Sequence, residues 1–360
     1  MRRLLDEATL PLLARGCGVL GTGGGGDPSV GLMMALQAVG DYGPVPLIGL
    51  DELDDEALIM PCGSVGAPTV GIEKIDNGDE GGRLRDRLEA IWQRPVAALM
   101  SSEIGGSNGL IPVVWATRLR LPVVDADCIG RAFPELQQST LELAGISPTP
   151  GVMTDERGNL VEFRTQDGFW LERLGRAATV VFGGSSASTE YTLTAGQARS
   201  AVVLDSVSLA IRIGSLVSQA AEDPVTTLIQ ALPAFKLIVG KVVDVERRTT
   251  QGFVRGSALV EGLGPDRDRV IRIEIQNENL VALEGARVLC SVPDLITVLD
   301  SETADSVPTE RLRYGQRVTV IGFACAPAWR TAPGLALAGP RPFGYDFDYR
   351  PVEELARARD

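Results

Sequence analysis

Histidine is absent from this chain of 360 residues. That absence removes any Ser-His-Asp triad, any Cys-His pair and any H-E-x-x-H zinc site within the chain. Proton transfer is left to Asp, Glu, Lys, Tyr, Cys or water. A metal would need carboxylates, carbonyls, waters or thiolates, and carboxylate oxygens favour hard cations such as magnesium, calcium or manganese. Lysine is nearly absent too: of 34 basic residues only Lys74, Lys236 and Lys241 are lysine. Basic residues are outnumbered by 47 acids, for a net charge of -13. That balance argues against a general nucleic-acid surface and against docking on anionic lipid. No apolar run approaches the roughly 20 residues of a membrane helix. Asp6 and Glu7 interrupt the N-terminus, so no signal peptide is expected. The five cysteines are odd in number and include no C-x-x-C pair, which suits free thiols in a reducing cytoplasm.

The length suggests about two domains, at roughly 100–200 residues each. Residues 3–15 carry helical apolar spacing through Leu4, Leu5, Leu10, Leu12 and Leu13, ended by Gly16 and Gly18. Asp27 can cap a helix over about 28–39, with Pro28 at its first position. Val45 to Ile48, Ala57 to Met60, Val96 to Met100 and Leu121 to Val124 read as strands. Helices are expected over 81–93 and 109–119, with Asn108 as cap of the second. The alternation from 57 to 124 predicts parallel strands joined by right-handed crossovers. Farther on, Val152 to Thr154 and Leu160 to Phe163 read as a hairpin, and 199–220 as one long helix. Between 235 and 325 the pattern is nearly all strand: Phe235 to Val245, Gly252 to Val260, Arg269 to Ile275, Ala286 to Leu289, Leu295 to Leu299 and Arg317 to Ile321. Short strands with frequent Gly suggest a barrel or sandwich. The last 35 or so residues, rich in Pro, Gly and aromatics, are expected to wrap a surface as an extended arm.

Three loops follow apolar runs and carry acid, amide or thiol side chains among glycines. They are Pro61-Cys62-Gly63-Ser64-Val65-Gly66, Ser101-Ser102-Glu103-Ile104-Gly105-Gly106-Ser107-Asn108-Gly109 and Asp125-Ala126-Asp127-Cys128-Ile129-Gly130. If the runs are neighbouring strands, the loops converge at one end of the sheet, where open α/β sheets bind ligands. A fourth run, Gly21 to Asp27, matches G-x-G-x-x-G by spacing, but five glycines in six residues match almost any glycine motif. No lysine follows it, and Asp27 would repel a phosphate, so no nucleotide is expected. A sharp turn between two close-packed helices is the plainer role, and a backbone cradle for an anionic or carbonyl atom is the alternative.

These segments also carry a resemblance. GTGGGGDP, GSVGAPTVGIEK, EIGGSNGLIP and LPVVDADCIGRAFPELQ, then IEIQNENLVA, VPDLITVLD, TERLRYGQRV and GPRPFGYDFDY, resemble the S-methyl-thiohydantoin desulfurase-like family over about residues 7–354. Its members lie beside, or are fused to, hydantoinase/oxoprolinase-type proteins. The resemblance implies an α/β domain over 1–165, with a mostly parallel or mixed sheet. It implies a mainly β, barrel- or sandwich-like domain over 166–360, which here would hold the helix near 199–220 and the arm. It also implies a hydantoin- or thiohydantoin-like cyclic amide as small-molecule substrate. The family offers no established catalytic set. Its third motif commonly has methionine where this chain has Cys128, which weighs against a thiol nucleophile there.

From the residues, Asp125 and Asp127 sit two apart and would share a face of an extended chain. They could hold a divalent cation such as Mg or Mn, or share a proton. Asp125, Asp127 and Glu103 are candidate activators of a water, and Lys74, beside Glu73, a candidate neutraliser of an imide anion. Gly24, Gly25, Asp27, Cys62, Gly63, Ser64, Gly105, Gly106, Asn108 and Arg131 complete the expected substrate site. The expected function is hydrolysis or desulfurisation of a cyclic amide by carboxylate-activated water. The alternative is a non-catalytic subunit or ligand-binding partner of a hydantoinase/oxoprolinase system. A cytoplasmic homo-oligomer is expected.

Overall fold

The computed structural model describes residues 3–67, 70, 74, 76–220, 223–250 and 252–358; Glu73 lies outside them. Ten of the described strands form one sheet. In chain order they are β1 (Arg3–Leu5), β2 (Val45–Ile48), β3 (Leu58–Gly66), β4 (Val96–Ser101), β5 (Val123–Asp127), β6 (Gly151–Thr154), β7 (Leu160–Phe163), β8 (Ser185–Thr189), β9 (Leu193–Thr194) and β10 (Val203–Leu204). The order across the sheet is β1-β2-β5-β4-β3-β8-β6-β7, with β9 beside β3 and β10 beside β5. The central four strands, β2, β5, β4 and β3, are parallel; the flanking strands are antiparallel. Leu58-Ile59-Met60, Ala98-Leu99-Met100 and Val123-Val124 are all buried, as strands covered on both faces must be. Register aligns Cys62 with Ser101, and Ser101 with Asp127. The three expected loops therefore leave the sheet side by side.

Helices α1 (Leu10–Leu20), α2 (Pro28–Tyr42), α3 (Glu80–Trp92), α4 (Ile111–Leu119), α5 (Thr140–Leu143), α6 (Gly168–Val181), α7 (Ala195–Ala201), α8 (Ser206–Gln219) and α9 (Pro224–Ala231) accompany this sheet. Asp27 caps α2 by accepting from Ser29 N, as its sequence suggests. Two expected helices are redrawn. Residues 3–5 are strand rather than helix, and α1 runs through Gly16 and Gly18 instead of stopping. A Cβ on Gly16 would lie 1.9 Å from the Ala210 carbonyl oxygen, and one on Gly214 would lie 1.9 Å from that of Leu12. These glycines let the backbones of α1 and α8 touch. The expected helix over 199–220 is broken: β10 pairs with Ala126 and Asp127, and Asp205, at φ 58°, turns the chain into α8.

The second sheet is antiparallel, with seven described strands: β11 (Phe235–Thr250), β12 (Phe253–Gly262), β13 (Val270–Gln276), β14 (Glu278–Glu284), β15 (Arg287–Ser291), β16 (Leu295–Asp300) and β17 (Arg317–Phe323). Their order is β15-β14-β13-β12-β11-β17-β16. Bulges in β11, β14 and β15 bend it, and β16 comes back beside β14 and β15, so the sheet curls into a half-barrel. Ile271, Ile273, Val260, Val298 and Val320 form part of its apolar interior. Strand β14 was not expected. Asn277, at φ 56°, turns the chain in one residue, and its backbone and side chain both bond Val254. The C-terminal segment is not simply an extended arm: it holds α10 (Ala332–Ala338) and α11 (Val352–Arg357). Thr331 caps α10, Pro333 is tolerated in its first turn, and buried Val352 and Leu355 pin α11.

The sheets meet through the glycine run. Asn279 N donates to Thr22 O, Thr309 N to Gly23 O, and Thr297 Oγ1 to Val19 O, each at 2.8 Å. No described helix is long and apolar enough to cross a membrane.

Candidate functional site

A cavity of about 450 Å³ opens where the carboxyl-terminal ends of β3 and β4 face the start of α2, the loop after β5 and the Asn277 turn. Its apolar walls include Met33, Met34, Ile111, Phe133, Leu136 and Leu141. Three buried carboxyl groups line it: Glu103, Glu190 and Glu278. Burial pushes the Glu103 carboxyl up to about 7, against the opposing effect of its hydrogen bonds. Asn108 Nδ2 donates to Oε1 at 2.6 Å and Phe133 N to Oε2 at 3.1 Å. Each oxygen keeps a lone pair beyond these bonds. Burial also lifts Glu190 to about 7 and Glu278 well above the carboxylate range, the latter opposed by nearby Arg131. Glu190 Oε2, Glu278 Oε2 and Ser102 Oγ are buried without a hydrogen-bond partner among the described residues.

The expected residues divide. Gly25, Asp27, Gly63, Ser64, Glu103, Asn108 and Lys74 reach the cavity wall; Gly24, Cys62, Gly105, Gly106, Asp125, Asp127 and Arg131 are not on it. Asn108 is no helix cap. Its Oδ1 accepts from Ser64 N and its Nδ2 also donates to Ser64 O, which ties the end of β3 to the loop that carries Glu103. The glycine run is packed rather than open: Ser107 N donates to Gly26 O and Asn108 N to Gly25 O. A Cβ on Gly106 (φ 63°) would lie 2.5 Å from Gly24 O, and one on Gly24 would lie 1.9 Å from Glu278 Oε1. These glycines bring the run, the β4 loop and Glu278 into contact. Gly105 likewise meets Gly21 and Ala132. Asp27 caps α2 and pairs with Arg311 at 2.6 Å.

The other candidate side chains are engaged by neighbours of their own. Lys74 lines the cavity, but its ammonium is held by Phe182 O, Ser185 O and Glu156. Asp125 pairs with Arg3 and accepts from Ser208 N and Oγ. Asp127 Oδ2 accepts from Ile104 N, Ile129 N and Gly130 N, so it fastens the loops after β4 and β5 to each other. Burial lifts it to about 6 despite those bonds. No group of three metal-ligating Asp, Glu or Cys occurs among the described residues, and the two aspartates point into separate networks, so they do not fit a shared hard cation. Arg131 is buried and donates to carbonyls of Ala132, Pro293 and Asp294 and to Thr22 Oγ1. Cys62 and Cys128 are buried, and burial pushes both thiols up, away from the thiolate form.

Glu190, Glu278 and Ser102 were not singled out from the sequence. Glu278 had a signal: Gln276-Asn277-Glu278-Asn279 interrupts an apolar strand pattern. Glu190 follows a run of small polar residues in β8 and carried none.

The architecture defines a two-part protein: a mixed α/β sheet and a curled antiparallel sheet, with a carboxyl-lined cavity between them. The chain belongs to the S-Me-THD-like family, whose N-terminal domain matches residues 8–165 and whose C-terminal domain matches 166–352. The family description points to a thiohydantoin desulfurase-like function. A crystal structure of a protein from Chromobacterium violaceum is similar in fold, with a TM-score of 0.78 and 24% identity, over 97% of this chain and 100% of that one. No curated protein matches.

Proposed function

We propose that the chain hydrolyses the C–S bond of a thiohydantoin-like cyclic amide, with Glu103 as base. The observation that carries this is Glu103 itself. It is buried at the wall of a ligand-sized cavity, oriented by Asn108 and Phe133 N–H, and lifted to about 7. A base is most effective when its pKa lies near the working pH. A water gives its proton to Glu103 as its oxygen bonds to the sulfur-bearing ring carbon. The C–S bond then breaks, and the thiol leaves with the proton that Glu103 returns. Ser102 Oγ, on the same cavity wall and without a partner among the described residues, would donate to an atom at the reacting centre. Glu103→Gln keeps the size and the contacts of the side chain and removes the base. It should lower kcat on S-alkylated thiohydantoins by about 100-fold or more. A variant with wild-type kcat would remove Glu103 from the mechanism.

A further inference from the structure

The cavity is acidic in a way that the base alone does not need. Its two lining cations are committed outward: Lys74 to Glu156 and two carbonyls, and Arg176 to Glu172 and Pro134 O. Arg131, behind Glu278, spends its guanidinium on carbonyls and Thr22. Glu190 Oε2 and Glu278 Oε2, by contrast, are buried carboxyl oxygens with no hydrogen-bond partner among the described residues, and a cation beside them would favour their ionised, accepting form. A buried acceptor without a donor costs free energy, and a carboxylate does so most. A ligand with an anionic group would add like charge to this wall. A ligand with several N–H groups and a positive charge would complete it.

We propose that the cavity binds its substrate as a planar nitrogen cation of the amidinium class, an isothiouronium or guanidinium group, received by Glu190 and Glu278. Planar N–H cations match carboxylates in geometry and make the stronger, charge-assisted hydrogen bonds. The proposal rests on the hydrolytic reading for its catalytic consequence. The S-alkylated ring contains an N–C(S)–N unit, which is an isothiourea. Protonated on nitrogen, that unit is an isothiouronium and its central carbon is the electrophile. Attack by water, with one proton passing to Glu103, turns the cation into a neutral tetrahedral adduct. Loss of the thiol, with the proton returned by Glu103, leaves the carbonyl product protonated, and that proton passes to solvent. Positive charge is discharged and no oxyanion accumulates. A site of this kind needs acidic walls and no free cation, and the described residues provide that.

The test is calorimetric titration of the intact chain with S-methylisothiouronium, methylguanidinium, their neutral analogue methylurea, and acetate. Both cations should bind at least tenfold more tightly than methylurea, and acetate should show no binding. Glu190→Gln and Glu278→Gln should each weaken cation binding at least tenfold and narrow the gap to methylurea. Equal binding of methylurea and the cations, or wild-type cation affinity in both variants, would overturn the proposal. Circular dichroism checks the fold of each variant, and if one does not fold the other carries the test. Turnover is read separately. Cation-selective binding without turnover of any thiohydantoin would sink the hydrolytic reading and leave the cation site standing. Turnover that depends on Glu103, with no preference for cations, would do the reverse.

Discussion

Replacing Glu190 by glutamine should make the protein more stable at alkaline pH and change it little in mild acid. The reason lies in the burial of this side chain. Its carboxyl is lifted from 4.5 to about 7, by burial first and by the nearby charge of Glu172 in addition. Below about pH 4.5 the group is protonated in the folded and unfolded chain alike, and contributes no difference. Between 4.5 and 7 the folded protein holds a proton that the unfolded chain has released, so stability falls as pH rises. Above 7 the folded state carries a buried charge. Its cost is about 3 kcal/mol, from 1.36 kcal/mol for each unit of pKa difference. Glutamine keeps the shape and removes that cost. Urea unfolding at pH 5 and pH 8 reads the effect directly. The variant should exceed the wild type by about 3 kcal/mol at pH 8, and should lie within about 1 kcal/mol of it at pH 5. A stability gap that is the same at both pH values would refute the reasoning. Because Glu190 is also a proposed ligand group, the stabilised variant should bind cations poorly, a familiar opposition between stability and function.

The two aspartates after β5 should behave differently. Asp127→Ala leaves the N–H groups of Ile104, Ile129 and Gly130 without their acceptor, and should lower stability by about 3 kcal/mol or more, with activity lost through displaced loops. Asp125→Asn should keep turnover, since that residue faces Arg3 and Ser208; thermal melts run beside kcat measurements check both. Cys128→Ser should retain kcat within about threefold, and iodoacetamide should not inactivate the wild type, because the buried thiol stays protonated.

Much of the first sheet was legible because parallel strands covered on both faces need continuous apolar runs, and glycine-rich loops mark their ends. From that pattern came the order of β3, β4 and β5, and with it the placing of Glu103 at a cavity. Other features could not be read from local pattern. Gly16 and Gly214 look like helix breakers until the partner helix is known. Asp125 and Asp127 share a strand, but which neighbours claim them depends on Arg3 and Ser208 in one case and on three loop N–H groups in the other. Lys74 is rare in composition, yet carbonyls more than 100 residues away occupy its ammonium. Glu190 and Glu278 become parts of one site only when the second sheet closes on the first, an event that no spacing in the chain encodes.

Arg131 has a consequence for how this protein can be handled. Its guanidinium is sealed at the seam, and carbonyls from the far side of the chain take the place of its hydration. Cutting the chain between the two family segments would break these bonds and also take β8, β9 and β10 out of the first sheet. The two family segments are therefore poor subjects for separate expression.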